Sequence, residues 1–233
     1  MNIGIILASG IGKRMGAGKN KTLIALGGKP IIFYTLRAFE KSRDIEGIVL
    51  VAGEKDRSAF KQIIKKYRFK KVLGVVSGGK ERQDSSYAGI EFVNNYFESK
   101  DKSKIVLLFH NGANPFVSEE EIRACALGAK RSGACAVAHR TKDTIREVDA
   151  RGLSVRVLDR KMLWNMQTPQ AINFNLAKKA FEKASKENFL GTDDVSLVER
   201  SGKKVKIIEA SKDNFKLTTP LDLELAKLIL KRR

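Results

Sequence analysis

The chain has 233 residues, 42% hydrophobic and 30% charged, which is enough apolar sequence for a packed core and excludes wholesale disorder. Its 45 Lys and Arg against 26 Asp and Glu leave a formal net charge of +19, a balance that favours anionic partners. The basic residues are scattered rather than gathered into one block with interleaved aromatics, so small phosphorylated substrates are expected and nucleic acid is not the expected main partner.

Strand and helix signals alternate along the chain. NIGIILAS is an apolar run of strand length that leads into a Gly-rich turn. KPIIFYTLRAFEKS has helical periodicity, with Pro30 near its first turn. IEGIVLVAG reads as a second buried strand, RSAFKQIIKKYR as a second helix, and KVLGVVSGG as a third strand closed by paired glycines. RQDSSYAGIEFVNNYF is a third helix and KIVLLFHNG a fourth strand. The strands are continuously apolar rather than alternating, as a parallel sheet covered on both faces requires. The expected fold is therefore α/β, an open, mostly parallel, doubly wound sheet.

Around residues 140–160 the pattern changes. RTKDTIREVDARGLSVRVLDR reads as two short strands about a turn at Asp149-Ala150-Arg151-Gly152, a protruding hairpin arm on a single domain spanning 1–233. NFNLAKKAFEKASKE and PLDLELAKLILKRR read as the closing helices. No run reaches the ~20 apolar residues of a membrane helix. Met1-Asn2-Ile3 leads into strand-like sequence without a charged n-region or cleavage site, so a cytoplasmic protein is expected. Cys125 and Cys135 are too few for a disulfide framework and are expected as buried small hydrophobes. His110 and His139 flank no Cys pair at zinc-ligand spacing and are expected to be packing residues.

Ligands in open α/β sheets bind beyond the carboxyl ends of the strands. Three such loops, at Ser9-Gly10, Gly78-Gly79 and His110-Asn111, carry unusual residues and point to one site. The first, LASGIGKRMGAGKNKT over residues 7–22, begins like G-x-G-x-x-G but has Met15 at the third position, and no register supplies a P-loop. Its glycines leave backbone N–H groups open to an anion, and Arg14, Lys19 and Lys21 follow within a dozen residues. Bare amides with an Arg and one or two Lys suit a triphosphate, because phosphoryl and nucleotidyl transfer depend on positioning and charge neutralisation.

Seven segments in order, LASGIGKRMG, KNKTLIALGGKPI, GGKERQDSS, DTI, LWNMQTPQ, TDDVSLVE and DNFKLTTPLDL, resemble the 4-diphosphocytidyl-2-C-methyl-erythritol synthase family of the non-mevalonate isoprenoid route. Ribitol-5-phosphate cytidylyltransferases share most of these motifs, whereas GGKERQDSS and QTPQ separate the chain from purine nucleotidyltransferases. The resemblance implies a nucleotidyltransferase domain whose β-arm builds a homodimer. It also implies a reaction in which a sugar-alcohol phosphate attacks the α-phosphorus of CTP with Mg²⁺ present; the lack of a long apolar run, for its part, leaves no membrane partner expected. By position it implies a triphosphate turn at Ala8, Ser9, Gly10 and Gly12, and a nucleoside pocket at Gly79, Lys80 and Ser85. Arg14, Lys21 and Lys216 match the catalytic cations. Thr144, Thr168 and Thr192 match contacts to the sugar phosphate, and Arg160 matches the arm residue that reaches the neighbouring subunit's site.

The loop after the fourth strand departs from the family. HNGANP stands where the family carries HDAARP or a near variant, so Asn111 replaces an Asp near the metal and the acceptor, and Asn114 replaces an Arg that engages the acceptor. Neutral amide oxygen is a poorer Mg²⁺ ligand than carboxylate, so Mg²⁺ is expected to be held mainly by the nucleotide phosphates. In the first loop Leu7-Ala8-Ser9 stands for Pro-Ala-Ala and Asn20-Lys21-Thr22 for Pro-Lys-Gln. The nucleotide side of the site is thus closer to the family than the acceptor side. A polyol phosphate such as ribitol 5-phosphate as acceptor, and a non-catalytic nucleotide- or RNA-binding relative, remain the alternatives.

Overall fold

The computed structural model describes residues 1–10 and 20–232, and in it the first strand, β1 (Asn2–Ala8), sits inside a sheet, buried along its whole length. Two short strands, β2 (Ala25–Leu26) and β3 (Lys29–Pro30), pair before helix α1 (Ile31–Lys41), where Pro30 stands at the N-cap. Then come β4 (Gly47–Ala52), α2 (Arg57–Tyr67), β5 (Val72–Ser77), α3 (Arg82–Tyr96) and β6 (Val106–Asn111), each on the segment its periodicity predicts. The order continues with α4 (Glu119–Ser132), β7 (Ala134–Arg140), β8 (Arg146–Val148), β9 (Ser154–Val157), β10 (Trp164–Asn173), α5 (Phe174–Lys186), α6 (Asp194–Arg200), β11 (Lys206–Glu209) and α7 (Pro220–Arg232).

Seven strands form one sheet of order β11-β7-β10-β6-β1-β4-β5. Only β10 runs against its neighbours; β1, β4, β5, β6, β7 and β11 pair in parallel wherever they meet. Because side chains alternate along a strand, β1 feeds two cores: Ile3, Ile5 and Leu7 face α3, α5 and α6, while Ile6 and Ala8 face α1, α2 and α4. β6 does the same with Leu107 and Phe109 on one side and Val106 and Leu108 on the other. Cys125 and Cys135 are free and buried in the second of these layers.

The arm is the β8–β9 hairpin, with Arg146 opposite Val157 and the turn closed by Gly152 N–H donating to Asp149 O at 3.0 Å. Gly152 has φ +80°, the left-handed conformation a glycine adopts without a Cβ penalty.

His110 lies at the end of β6, fully buried, its ring 5.2 Å from that of Phe39 and its Nε2 3.0 Å from Asn114 O. Burial pushes its pKa down from 6.5 to about 4, so the folded protein holds a neutral ring. Between those two values the unfolded chain binds a proton the native state refuses. Stability is therefore full above pH 6.5 and falls as pH drops towards 4, by about 3 kcal/mol for this one group. His110→Gln is expected to flatten that acid limb in urea titrations run at several pH values.

Candidate active site

The parallel register brings the carboxyl ends of four strands level. Leu7 pairs with Asn111, Ala8 with Ala52, and Ala52 with Ser77. The loops that follow therefore open onto one edge, and they enclose a cavity of about 380 Å³. Ala8, Ser9 and Gly10 continue β1 into it, and Lys21 and Thr22 enter from a short 3-10 turn, Lys21–Leu23. Gly79, Lys80, Arg82 and Ser85 come from the β5–α3 junction, and Asn111 and Lys216 close the far wall.

Local contacts explain why these segments come so close. Ser9 Oγ and Ser85 Oγ are hydrogen-bonded at 2.9 Å across the mouth. A Cβ on Gly78 would lie 2.6 Å from Ser85 Oγ, and one on Gly79 would lie 2.2 Å from Asp84 Cβ, so only glycines let the β5 end approach the start of α3. That helix start is a capping box: Glu81 N–H donates to Asp84 Oδ2 at 2.9 Å, and the Glu81 side chain accepts from the helix backbone in return. The positive end of α3 thus borders the cavity. Among the described lining residues Lys21, Lys80, Arg82 and Lys216 stand with it against the single carboxylate of Glu81, a lining built for an anion.

A second cavity of about 470 Å³ adjoins the first and shares Arg82, Asn111 and Lys216 with it. Asn114, Gln167, Thr168, Gln170, Thr192 and Asn214 are among the residues that line the rest. The Asn111 backbone N–H and Nδ2 both point to Thr168 Oγ1, at 3.3 and 3.5 Å. Thr168 precedes Pro169 through a cis bond, at an irregularity of β10 between Met166 and Gln170. Asn114 is almost wholly buried, and its Nδ2 donates to Asn214 O at 3.1 Å. Asn214 in turn donates to Thr168 O and to the Glu121 carboxylate.

Ala8, Ser9, Gly10, Lys21, Gly79, Lys80, Ser85, Asn111 and Lys216 thus meet in one cavity, and Asn111, Asn114, Thr168, Thr192 and Lys216 in the other. Gly12 and Arg14 lie outside the described residues. Thr144 and Arg160 line neither cavity; both are exposed at the arm, where Arg160 Nη1 donates to Lys142 O at 3.3 Å. His110 is a packing residue, whereas His139 borders the second cavity.

Sequence reasoning passed over Arg82, which among the described residues is the one cation besides Lys216 that borders both cavities. It sits inside the GGKERQDSS segment. Its Nη2 donates to Asp194 Oδ2 at 2.5 Å, and Asp194 also accepts from Ser86 Oγ at 2.6 Å. Gln170 completes this cluster by accepting from Asp194 N–H at 2.9 Å and donating to Asp193 Oδ2 at 2.8 Å. Such cross-chain partners leave no local periodic signal.

Among the described residues no three His, Cys, Asp or Glu are grouped to hold a metal ion. The cavity carboxylates Glu81 and Asp193 are engaged as helix caps, and Asn111 offers neutral oxygen at the junction. This donor set fits a magnesium ion carried on phosphate oxygens, not one held in an all-protein cage.

The sequence profile of the 2-C-methyl-D-erythritol 4-phosphate cytidylyltransferase family matches residues 3–232. The chain is similar to the 2-C-methyl-D-erythritol 4-phosphate cytidylyltransferase of Geobacillus thermodenitrificans, at 46% identity over 98% of this chain and 96% of that one. The protein of the same name from Shouchella clausii is 45% identical over the same shares. Among solved structures, the 4-diphosphocytidyl-2C-methyl-D-erythritol synthase of Anaerococcus prevotii superposes with a TM-score of 0.85 at 28% identity, covering 100% of this chain and 96% of that one.

Proposed function

The chain belongs to the 2-C-methyl-D-erythritol 4-phosphate cytidylyltransferase family, and from that premise we propose that it transfers the cytidylyl group of CTP to 2-C-methyl-D-erythritol 4-phosphate, as in non-mevalonate isoprenoid biosynthesis. One observation carries the reading: two cavities of substrate size meet at Arg82, Asn111 and Lys216. The first takes the nucleotide and the second takes the alcohol phosphate, so the acceptor oxygen meets the α-phosphorus where the cations converge.

In this reading a phosphate oxygen of the acceptor bonds to the α-phosphorus as the bond to the bridging oxygen of the β-phosphate breaks, and pyrophosphate departs. A phosphate monoester has its second pKa near ~6, so the nucleophile is ionised at neutral pH and needs no base. The neutral, buried His110 accords with that. Lys21 and Lys216, with Arg14, neutralise the charge that builds on the α-phosphate and the leaving group. The turn at Ala8, Ser9 and Gly10 receives the triphosphate. Gly79, Lys80 and Ser85 receive the nucleoside, and Thr168 and Thr192 the acceptor. Asn111 would offer a neutral oxygen to a magnesium ion bound with the triphosphate, and such an ion would add to the charge neutralisation that the cations provide.

The whole chain acts as one nucleotidyltransferase domain, and the arm joins two copies into a homodimer in the cytoplasm. Support for the dimer comes from the exposed apolar side chains of the arm, Val148, Leu153, Val155, Val157 and Met162. In such a dimer Arg160 and Thr144, both exposed at the arm, would serve the partner's acceptor cavity. No described helix is long and apolar enough to cross a membrane.

The neutral pair Asn111 and Asn114 supports a second reading, the same chemistry on another polyol phosphate. Pyrophosphate release with CTP and Mg²⁺ decides, with methylerythritol phosphate and ribitol 5-phosphate compared as acceptors. Turnover with the first is expected. Turnover with ribitol phosphate alone would favour the second reading, and silence with both would reject cytidylyl transfer to either.

A further inference from the structure

The amide of Asn20 lies between the two ends of the phosphate-loop segment. Asn20 is 3% exposed. Its Nδ2 donates to Ala8 O at 2.6 Å, at the end of β1, and to Asp56 Oδ2 at 2.8 Å, beside the end of β4. Its Oδ1 accepts from Thr22 N–H at 3.1 Å and from Thr22 Oγ1 at 2.8 Å. Two donors and two acceptor sites are all that a carboxamide has, and every one is used. Asn20 also caps the 3-10 turn in which Lys21 is the first residue.

Ala8 and Asn20 are twelve residues apart in sequence, so the first bond brings the end of β1 against the start of the turn that carries Lys21. Next to that bond stand Ser9-Gly10 and Lys21, all in the first cavity. The Asn20 side chain thus ties its own turn to two further segments, the end of β1 and the stretch after β4.

We propose that Asn20 is a positioning residue, a clasp that fixes Lys21 against the end of β1 and so sets the spacing between the amide-bearing turn and the cation that share the transferring phosphate. The inference rests on the cytidylyl-transfer reading but names a residue outside the set that touches substrate. Only a group with two donors and an acceptor can hold Ala8 O, Asp56 and Thr22 at once. A carboxylate there would face two acceptors, Ala8 O and Asp56, whereas a protonated carboxyl could again donate to one of them.

The test uses Asn20→Ala and Asn20→Asp in the full chain, with kcat, KM for each substrate, CTP affinity by calorimetry, and Tm. Asn20→Ala is expected to lower kcat about 10–100-fold, the scale of a small misplacement of a charge-stabilising group, and to weaken CTP about tenfold, while KM for the acceptor stays within twofold. For Asn20→Asp, the activity relative to wild type at the same pH is expected to be highest near pH 5.5. It should fall about tenfold by pH 8, as the introduced carboxyl, its pKa raised by its two acceptor neighbours, loses its proton. Taking the ratio to wild type cancels the titration of the acceptor phosphate. If Asn20→Ala does not fold, this ratio decides. If the wild-type protein releases no pyrophosphate, the cytidylyl-transfer reading fails by itself, and the clasp is judged by the same comparisons made on CTP affinity. Asn20→Ala within twofold of wild type in both kcat and CTP affinity, or an Asn20→Asp ratio flat from pH 5.5 to 8, would overturn the proposal.

Discussion

Replacing Lys216 with alanine is expected to lower kcat for pyrophosphate release by about 10²–10³, the cost of losing one preorganised charge-stabilising donor. Lys216 borders both cavities, where the proposed reaction places the phosphate in transit, so the proposal assigns its ammonium to that phosphate and not to either substrate alone. Its backbone is fixed on the far side of the sheet's edge, because Leu217 N–H donates to Ala113 O at 2.9 Å and Thr218 Oγ1 donates to Lys216 O at 2.9 Å. An interaction made mainly in the transition state lowers kcat and kcat/KM together. Steady-state kinetics with CTP varied should therefore show the loss in kcat with KM for CTP moving much less. Unchanged kcat with KM raised a hundredfold would make Lys216 a uniform binding residue and remove it from the catalytic set.

The largest expected loss of stability is at Asp194. Its carboxylate is 1% exposed and receives Arg82 Nη2 and Ser86 Oγ, while its own N–H is held by Gln170. Asp194→Ala leaves the Arg82 guanidinium half enclosed without its counter-charge and leaves the Ser86 hydroxyl without its acceptor. Stranding one member of a buried pair costs about 3–5 kcal/mol, which for a chain of this size corresponds to a fall in Tm of about 10 °C. The Arg82 side chain is 30% exposed, so water screens part of the attraction, and most of the loss comes from the unpaired groups. A double-mutant cycle with Arg82→Met separates the two contributions: the double variant should be more stable than the sum of the single losses allows. A melting curve for Asp194→Ala within a degree of wild type would refute this account of the cluster.

Much of this protein was legible from local pattern. Continuous apolar runs ending at Ser9-Gly10, Gly78-Gly79 and His110-Asn111 are sufficient to place β1, β5 and β6 in a covered parallel sheet, whose carboxyl ends open onto a cavity. The arm was equally plain, since two short strand signals flank a turn that needs a glycine at residue 152. These features depend on neighbours in sequence, and the backbone carries them wherever the segment is placed.

What required the tertiary structure is everything that depends on segments distant in sequence. β10 interrupts an otherwise parallel sheet, and its polar residues Gln167 and Gln170 are buried only because Asn214, Ser211 and Asp193 supply partners from 23 to 47 residues away. Asn114 reads as a surface-loop residue facing the acceptor, yet its amide nitrogen is turned to Asn214 in the cavity floor. Arg82 stands among helix-start residues in the sequence, and only the placement of α6 against α3 gives it Asp194 and sets it between two cavities. Periodicity records which face of an element is buried. Which polar group meets which is fixed by how the elements stack, because a buried donor or acceptor must find its partner wherever the fold brings one within reach.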